Sequence, residues 1–444
     1  MLVAPIRARS LALRPMPRAA LVGQETAPQT VCTAEFWPKR TDASRRAGPT
    51  VKLMAAAGGE MGRFGRALQA TKLACDQLAP LVRELYKSAG TLNELKADDS
   101  VFTVADGLVQ DLLTRGLLRN GEGFKAIVGE EDATSTNLQT RPYTVSGLRV
   151  PEQLFERIER TRDAVQLLGR ELSAAGDAST YSDCTVFIDP IDGTREFSTN
   201  LGEQCTILVG FAVGGRPTAG LMYRPIPDPT SWALGCKDEG LFDACLDESA
   251  SVRTTTSATN SHGLLTSNGH ISPFLEQIIK DIAEQNDATA ADTSELRVRA
   301  GGVGNKLMNL LEHKGMFYIQ DRGVSRWDTC APQAVIEARG GLLVKLSCLL
   351  RAGSLESYTY EKTSTNLDLN ADFPVELGKY NLRKDADAKG SCADPQAQAA
   401  AVNAYSNICG FLALDAKTAT DSTQLQSVVD LVRAAAAKAS PTFT

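Results

Sequence analysis

The sequence predicts a layered α/β protein, with an α+β N-terminal half over residues 59–250 and an α/β C-terminal half over residues 251–444. Three observations carry this expectation. The apolar run Val186-Phe187-Ile188 stops abruptly at Asp189, as a buried strand does where it leaves the core. Two further apolar runs, residues 205–213 and 218–223, flank a turn that begins Gly214-Gly215, the pattern of a β-hairpin. Between such strands lie stretches whose apolar residues recur at helical intervals, beginning with Phe64, Leu68, Cys75, Leu78, Val82 and Leu85.

Residues 1–58 stand apart from this scheme. Arg7, Arg9, Arg14 and Arg18 all precede the first acidic residue, Glu25, among Ala, Leu, Ser and Pro. That composition reads either as a transit peptide for a mitochondrion or plastid, or as a disordered tail on a cytoplasmic protein. The first helix then runs from Glu60 to about Ala89 despite Pro80, with one apolar face for a sheet. Residues 101–106 lead into a second helix through Leu108, Leu112, Leu113 and Leu117. Asp106 falls at its start, where an acid is either a cap or a carboxylate turned toward a ligand. Ala126-Ile127-Val128 is a short buried strand stopping at Gly129-Glu130-Glu131, and acids at a strand end are commonly just solvated. Leu154, Ile158, Val165, Leu168 and Leu172 give a third helix, expected beside the functional site.

After the hairpin, residues 240–244 add a short strand. Leu264-Leu265-Thr266-Ser267 is a strand running into Asn268-Gly269-His270, and a helix follows through Phe274, Ile278 and Ile282. A single histidine such as His270 is more often a structural hydrogen-bonder than a catalyst. Leu307, Leu310 and Leu311 face inward from a helix that starts at Gly301-Gly302-Val303-Gly304-Asn305-Lys306, where Lys306 either meets a phosphate or is merely solvated. Phe317-Tyr318-Ile319 is a strand. Asp328 opens a helix that buries Ala331, Val335 and Ile336 and ends at Gly340-Gly341. Residues 342–400 form an insert, largely polar and charged from 367 to 391; residues 406–414 return as the last strand, and residues 424–438 make an Ala-rich helix.

The 444 residues are 43% hydrophobic and carry a formal net charge of −6. That is enough to bury a large core, and it is the wrong sign for a general nucleic-acid binder, which needs a cationic face to displace counterions. No apolar run approaches the roughly 20 residues that a bilayer demands, so no membrane partner is expected. The ten cysteines are scattered without a Cys-x-x-Cys pair, and three histidines are too few for a polyhistidine cage. Reduced thiols and oxygen ligands for any metal are therefore expected. Protein partners leave no mark on the sequence.

Chemistry concentrates at Asp189-Pro190-Ile191-Asp192-Gly193-Thr194. Pro190 fixes one torsion and Gly193 permits a tight turn, so that both carboxylates can face one point. Two close carboxylates repel unless one takes a proton or a cation lies between them. A hard divalent ion such as Mg²⁺ suits carboxylates joined by the Ile191 carbonyl, and the amides of Gly193 and Thr194 at a helix start suit an anion. Carboxylates for a metal beside amides for an anion point to a small phosphate ester.

Residues 189–194 resemble the signature of the inositol monophosphatase superfamily of Mg²⁺-dependent, lithium-sensitive phosphomonoesterases. Three other segments resemble its motifs in the same order: Thr103-Val104-Ala105-Asp106, Val128-Gly129-Glu130-Glu131-Asp132 and Trp327-Asp328-Thr329-Cys330-Ala331-Pro332. The stretch from Gly301 to Gly341 is similar to one branch, the 3'(2'),5'-bisphosphate nucleotidases, which remove the 3'-phosphate from adenosine 3',5'-bisphosphate. The resemblance implies a layered αβαβα fold with the site between the halves, and two or three Mg²⁺ ions. It implies that Glu130, Asp189 and the Ile191 carbonyl hold the water-activating ion, and that Asp189, Asp192 and Asp328 hold its partner. It makes Asp106 and Thr194 a hydrogen-bonded pair that orients the water and takes its proton, with Glu130 beside them in the catalytic set. It places Gly193, Thr194, Ser267, His270, Gly304 and Lys306 at the substrate, a nucleotide bisphosphate or an inositol phosphate. Beyond Gly341 the pattern departs from the nucleotidases toward the inositol polyphosphate 1-phosphatases, the alternative activity. A catalytically dead phosphate or metal sensor is disfavoured, because every expected carboxylate and Thr194 are present.

Overall fold

The computed structural model describes residues 61–88, 93–95, 101–119, 123–131, 136–176, 179–246, 263–286, 295–322, 324–360, 406–407 and 410–441. The expected presequence or tail over 1–58, and residues 361–400 of the insert, lie outside them. Along the chain come α1 (Arg63–Lys87), α2 (Val104–Asp111), β1 (Phe124–Gly129), α3 (Phe155–Ala174), β2 (Tyr181–Asp192), α4 (Thr194–Ser198), β3 (Thr206–Val213), β4 (Arg216–Arg224), β5 (Ser231–Cys236) and β6 (Leu241–Cys245). They continue as β7 (Leu264–Thr266), α5 (Pro273–Gln285), β8 (Arg297–Arg299), α6 (Val303–Leu311), β9 (Phe317–Gln320), α7 (Arg326–Ala338), β10 (Leu342–Lys345), α8 (Leu346–Ala352), β11 (Phe411–Leu414) and α9 (Ser422–Lys438). Shorter helices and bridges join them. Among the described residues no helix is long and apolar enough to cross a membrane, and the cysteines are free thiols.

The first sheet takes its strands in the order β6-β5-β4-β3-β2-β1, antiparallel except between β1 and β2. The second runs β8-β7-β9-β11-β10, parallel across β8, β7 and β9 and antiparallel on both sides of β11. α1 and α2 pack on the first sheet, and α3 packs on α1. α6 and α7 fill the space between the sheets: Leu307, Trp327 and Val335 join Phe187 and Met222 of the first to Tyr318 and Phe411 of the second. On β9 the side chains alternate, so that Tyr318 faces this inner layer while Phe317 and Ile319 face α5 and α9 around Phe274, Ile278 and Val432. The layers thus alternate helix, sheet, helix, sheet, helix, the αβαβα arrangement that the resemblance implied.

Local chemistry sets several of these placements. α1 begins after Gly62, which has no side chain with which to cap it. Glu239, in the β5–β6 turn, does so instead, accepting from the amides of Phe64 and Gly65 at 2.9 and 2.8 Å. α7 can lie close on the first sheet because Gly210, Gly220 and Gly235 are direct cross-strand neighbours on β3, β4 and β5. A Cβ on Gly220 would sit 2.3 Å from the Ala331 carbonyl oxygen, and one on Gly210 would sit 2.5 Å from the Ala331 nitrogen. Helix backbone cannot step aside as a flexible side chain can. Gly220→Ala is therefore expected to destabilise the fold by about 1–3 kcal/mol, measured as a lowered denaturant midpoint.

The fold departs from the expectations at α3, at β5 and β8, and at the expected insert, whose first residues form β10 and α8. α3 does not flank the functional cleft: its apolar residues Ile158, Val165, Leu168 and Leu172 are buried in the outer helical layer. Gly169 lets it approach so closely that a Cβ there would meet the Gly116 carbonyl at 2.3 Å. β5 and β8 had no counterpart in the sequence reading. β5 is six residues with a glycine inside, and β8 is Arg297-Val298-Arg299, too short and too charged to show a strand period.

Candidate active site

The site is assembled at the end of β1 and β2, the parallel pair of the first sheet. Their register sets Gly129 opposite Ile188, and the Glu130 amide continues the ladder by donating to the Ile188 carbonyl at 3.0 Å. Glu130, just past the end of β1, and Asp189, still paired on β2, therefore lie side by side. Residues three apart on a regular strand point to opposite faces. Against β3, however, Asp189 pairs with Leu208 and Asp192 with Thr206, so β2 carries one extra residue there. That bulge turns Asp192 back to the side of Asp189.

Asp192 is fixed from three directions. Its Oδ1 accepts from the Val303 amide at 2.9 Å, and its Oδ2 accepts from the Gly304 amide at 2.7 Å and from Thr206 Oγ1 at 2.8 Å. The start of α6 thus holds a carboxylate of its own chain, where the helix dipole favours negative charge. Gly302 makes this approach possible. Its φ is 63°, and a Cβ on it would lie 2.7 Å from Asp192 Oδ2. Asp328, in the first turn of α7, is held by the Ser325 amide, which donates to Oδ2 at 2.6 Å.

Oxygens of Asp189, Asp192 and Asp328 all lie within 4.8 Å of one another. Asp189 is 1% exposed, and its Oδ1 is buried with no hydrogen-bond partner. Burial first, then the charges of Glu130, Asp192 and Asp328, pushes the Asp189 carboxyl well above the usual range. Burial and the charges of Glu130 and Asp192 push Asp328 up to about 7. Without a cation among them these acids must share protons. A divalent ion would satisfy the orphaned oxygen and relieve the repulsion, so the donor set fits a hard metal.

The raised carboxyls have a consequence for stability. The folded state keeps protons that the unfolded chain releases near about pH 4. Stability from this source is present below that pH and lost as pH rises through about 7 for Asp328. Mg²⁺ competes with those protons, so the thermal stabilisation it confers over EDTA should be larger at about pH 7.5 than at about pH 5. A larger increment at the lower pH would contradict a metal site here.

Asp106 is fully buried in the first turn of α2. Its Oδ2 accepts from the Thr103 amide at 3.0 Å and from the Thr103 hydroxyl, and its Oδ1 accepts from Thr194 Oγ1 at 3.3 Å. The cap and the site contact are therefore the two oxygens of one carboxylate. Thr194 Oγ1 also lies 3.0 Å from the Ile191 carbonyl oxygen. In front of this pair opens a cleft of about 730 Å³. Glu130, Asp192, Gly193, Thr194, Ser267, His270 and Lys306 line it. Lys306 is 4% exposed, with Nζ 5.1 Å from the centre of the Tyr318 ring. Burial lowers its pKa, against the opposing pull of Asp192, Glu196 and Asp328.

Gly304 is the expected substrate contact that the structure does not bring to the cleft. It is absent from the lining, and its amide is committed to Asp192. Arg195, Glu196, Tyr318 and Arg322 line the cleft without having been anticipated. Arg195 and Glu196 directly follow the Asp-Gly-Thr motif and were accessible on that ground, whereas nothing local marks Arg322.

A model of the inositol monophosphatase family matches residues 67–371. The chain is 28% identical over 269 residues to 3'(2'),5'-bisphosphate nucleotidase 1 of Mus musculus, covering 58% of this chain and 75% of that protein. It is 28% identical over 293 residues to the protein of the same name from Dictyostelium discoideum, covering 61% and 83%. It is 26% identical over 339 residues to inositol monophosphatase 3 of Xenopus tropicalis, covering 70% and 84%.

Proposed function

Because this chain belongs to the inositol monophosphatase family, we propose that it is a Mg²⁺-dependent phosphatase that hydrolyses adenosine 3',5'-bisphosphate to AMP and inorganic phosphate. The observation that carries the reading is the convergence of Asp189, Asp192 and Asp328 around one point. Relatives named as bisphosphate nucleotidases support the nucleotide. Arg195, Lys306 and Arg322 line the same cleft, so a second phosphate on the substrate finds cationic partners there.

Mg²⁺ ions held by Glu130, Asp189, the Ile191 carbonyl, Asp192 and Asp328 would supply charge neutralisation at the phosphoryl group and acidify the attacking water. The chain's own residues place the reactants and move the proton. Thr194 has one hydroxyl proton and two acceptors within reach, the Ile191 carbonyl and Asp106 Oδ1. With that proton directed to Asp106, a lone pair on Thr194 Oγ1 is left to accept from the water. The water's proton then passes through Thr194 to Asp106 Oδ1, while Thr103 keeps the other oxygen fixed. The amides at Gly193 and Thr194 orient the phosphoryl oxygens, and Ser267, His270 and Lys306 meet the rest of the substrate. The Arg-rich stretch over 1–58 is proposed to be a presequence for a mitochondrion or plastid.

Phosphate release from adenosine 3',5'-bisphosphate and from inositol 1,4-bisphosphate tests the reading. With Mg²⁺ present, kcat/KM is expected to be at least about tenfold higher on the nucleotide. The reverse order would make the protein an inositol polyphosphate 1-phosphatase.

A further inference from the structure

The cleft has two walls that come from distant parts of the chain. One is the turn and short helix after the paired acids, from Gly193 to Glu196; the other is the loop after β7 together with Gly301 and Gly302. Three half-buried side chains tie them together. Asn268 Nδ2 donates to Glu196 Oε1 at 3.1 Å and to Gln204 Oε1 at 2.9 Å. The same Gln204 oxygen accepts from the Gly301 amide at 2.6 Å. Glu196 packs against Gly301, where a Cβ would come 2.2 Å from its Cδ. From the other side Arg297 grips the loop, donating to Thr266 Oγ1 at 3.1 Å, to the Ser267 carbonyl at 3.2 Å and to the Gly269 carbonyl.

The proposed mechanism uses none of these groups. We infer that Asn268 is a positioning residue: its one amide latches the substrate-side loop, which carries Ser267 and His270, to the turn that carries Gly193 and Thr194. Both hydrogens of the amide are used, one on Glu196 of the opposite wall and the other on Gln204, whose oxygen is also held by the Gly301 amide, so the loop has one seat rather than several. The latch makes no contact with the buried acids. It therefore governs how the body of the substrate is met, not the chemistry at phosphorus. The inference rests on the phosphatase reading of the cleft, and it specifies which substrates feel the latch. A phosphate ester with a large body touches the far wall, whereas a small one does not.

The test compares adenosine 3',5'-bisphosphate with phenyl phosphate in the full-length enzyme with Mg²⁺. In Asn268→Leu, KM for the nucleotide is expected to rise by about tenfold with kcat held within about threefold, and both constants for phenyl phosphate are expected to stay within about twofold. Amide hydrogen exchange should quicken at Gly301 and not within α6. Asn268→Asp sets two carboxylates face to face and should raise KM as much. Adding Glu196→Gln returns a donor opposite the new acid and should recover about half of that loss on a logarithmic scale. Equal losses on the two substrates, or no rescue in the double variant, would reduce Asn268 to a structural residue and overturn the latch. A wild-type enzyme that hydrolyses neither ester would overturn the nucleotide reading of the cleft, and the latch with it.

Discussion

Asp189→Asn is expected to lower Mg²⁺-dependent turnover by at least about 10³-fold while raising the melting temperature of the protein held in EDTA. The two effects have one source. Asp189 is buried among Glu130, Asp192 and Asp328, and its Oδ1 has no hydrogen-bond partner, so its charge serves the fold poorly. An isosteric amide removes the repulsion and the need to take up a proton there, and supplies a permanent donor to the neighbouring carboxylates. It also removes a carboxylate that would hold Mg²⁺. Asp192→Asn is the less clean experiment. Asp192 accepts three hydrogen bonds, two from the start of α6 and one from Thr206, so an amide there would set a donor against a donor. That variant is expected to lose activity and stability together. Phosphate release and thermal unfolding in EDTA, measured on both variants, separate the cases. An Asp189→Asn enzyme that keeps its turnover would take the metal away from this cluster.

The order of strands and helices was legible wherever a segment carried its own period. Apolar alternation and helical spacing are local properties, and α1, α5, α7 and the β3–β4 hairpin show them plainly. The acids were legible because each sits in a short motif whose residue types restrict its chemistry. What the sequence hid was the partner of each group. Gly304 reads as a helix start open to an anion, and it is one; but the anion it holds is Asp192, 112 positions earlier in the chain. No local pattern separates those two uses. β5 and β8 are strands because their neighbours supply the pairing, β4 and β6 for one and β7 for the other. α3 has an apolar face that would fit beside any surface, and only the close approach permitted by Gly169 shows which one it covers.

Arg224 illustrates the same dependence on distant partners, and its replacement should be among the most destabilising in the molecule. At the end of β4 its guanidinium donates to Glu312 at 2.6 Å, to Asn305 Oδ1 at 2.8 Å and to Asn309 Oδ1 at 2.9 Å, all on α6 or just beyond it. The Arg224 side chain is 5% exposed and that of Glu312 is 1% exposed. Losing one member of a buried pair strands the other charge, so Arg224→Met is expected to lower stability by about 3–5 kcal/mol. Lys314, 2.7 Å from Glu312, offsets part of this. Adding Glu312→Gln to Arg224→Met should recover much of the loss, because the larger share of the penalty is the buried carboxylate left with Lys314 alone rather than the missing contact. A second consequence reaches the site. Asn305 Nδ2 donates to the Gly301 carbonyl at 3.0 Å, so Arg224 steadies the first turn of α6, whose Val303 and Gly304 amides hold Asp192. The Mg²⁺ concentration needed for half-maximal activity should therefore rise several-fold in Arg224→Met. It should stay raised in the double variant, where stability returns but Asn305 still lacks its guanidinium partner. A double variant that regains both would show that α6 keeps its register without Arg224.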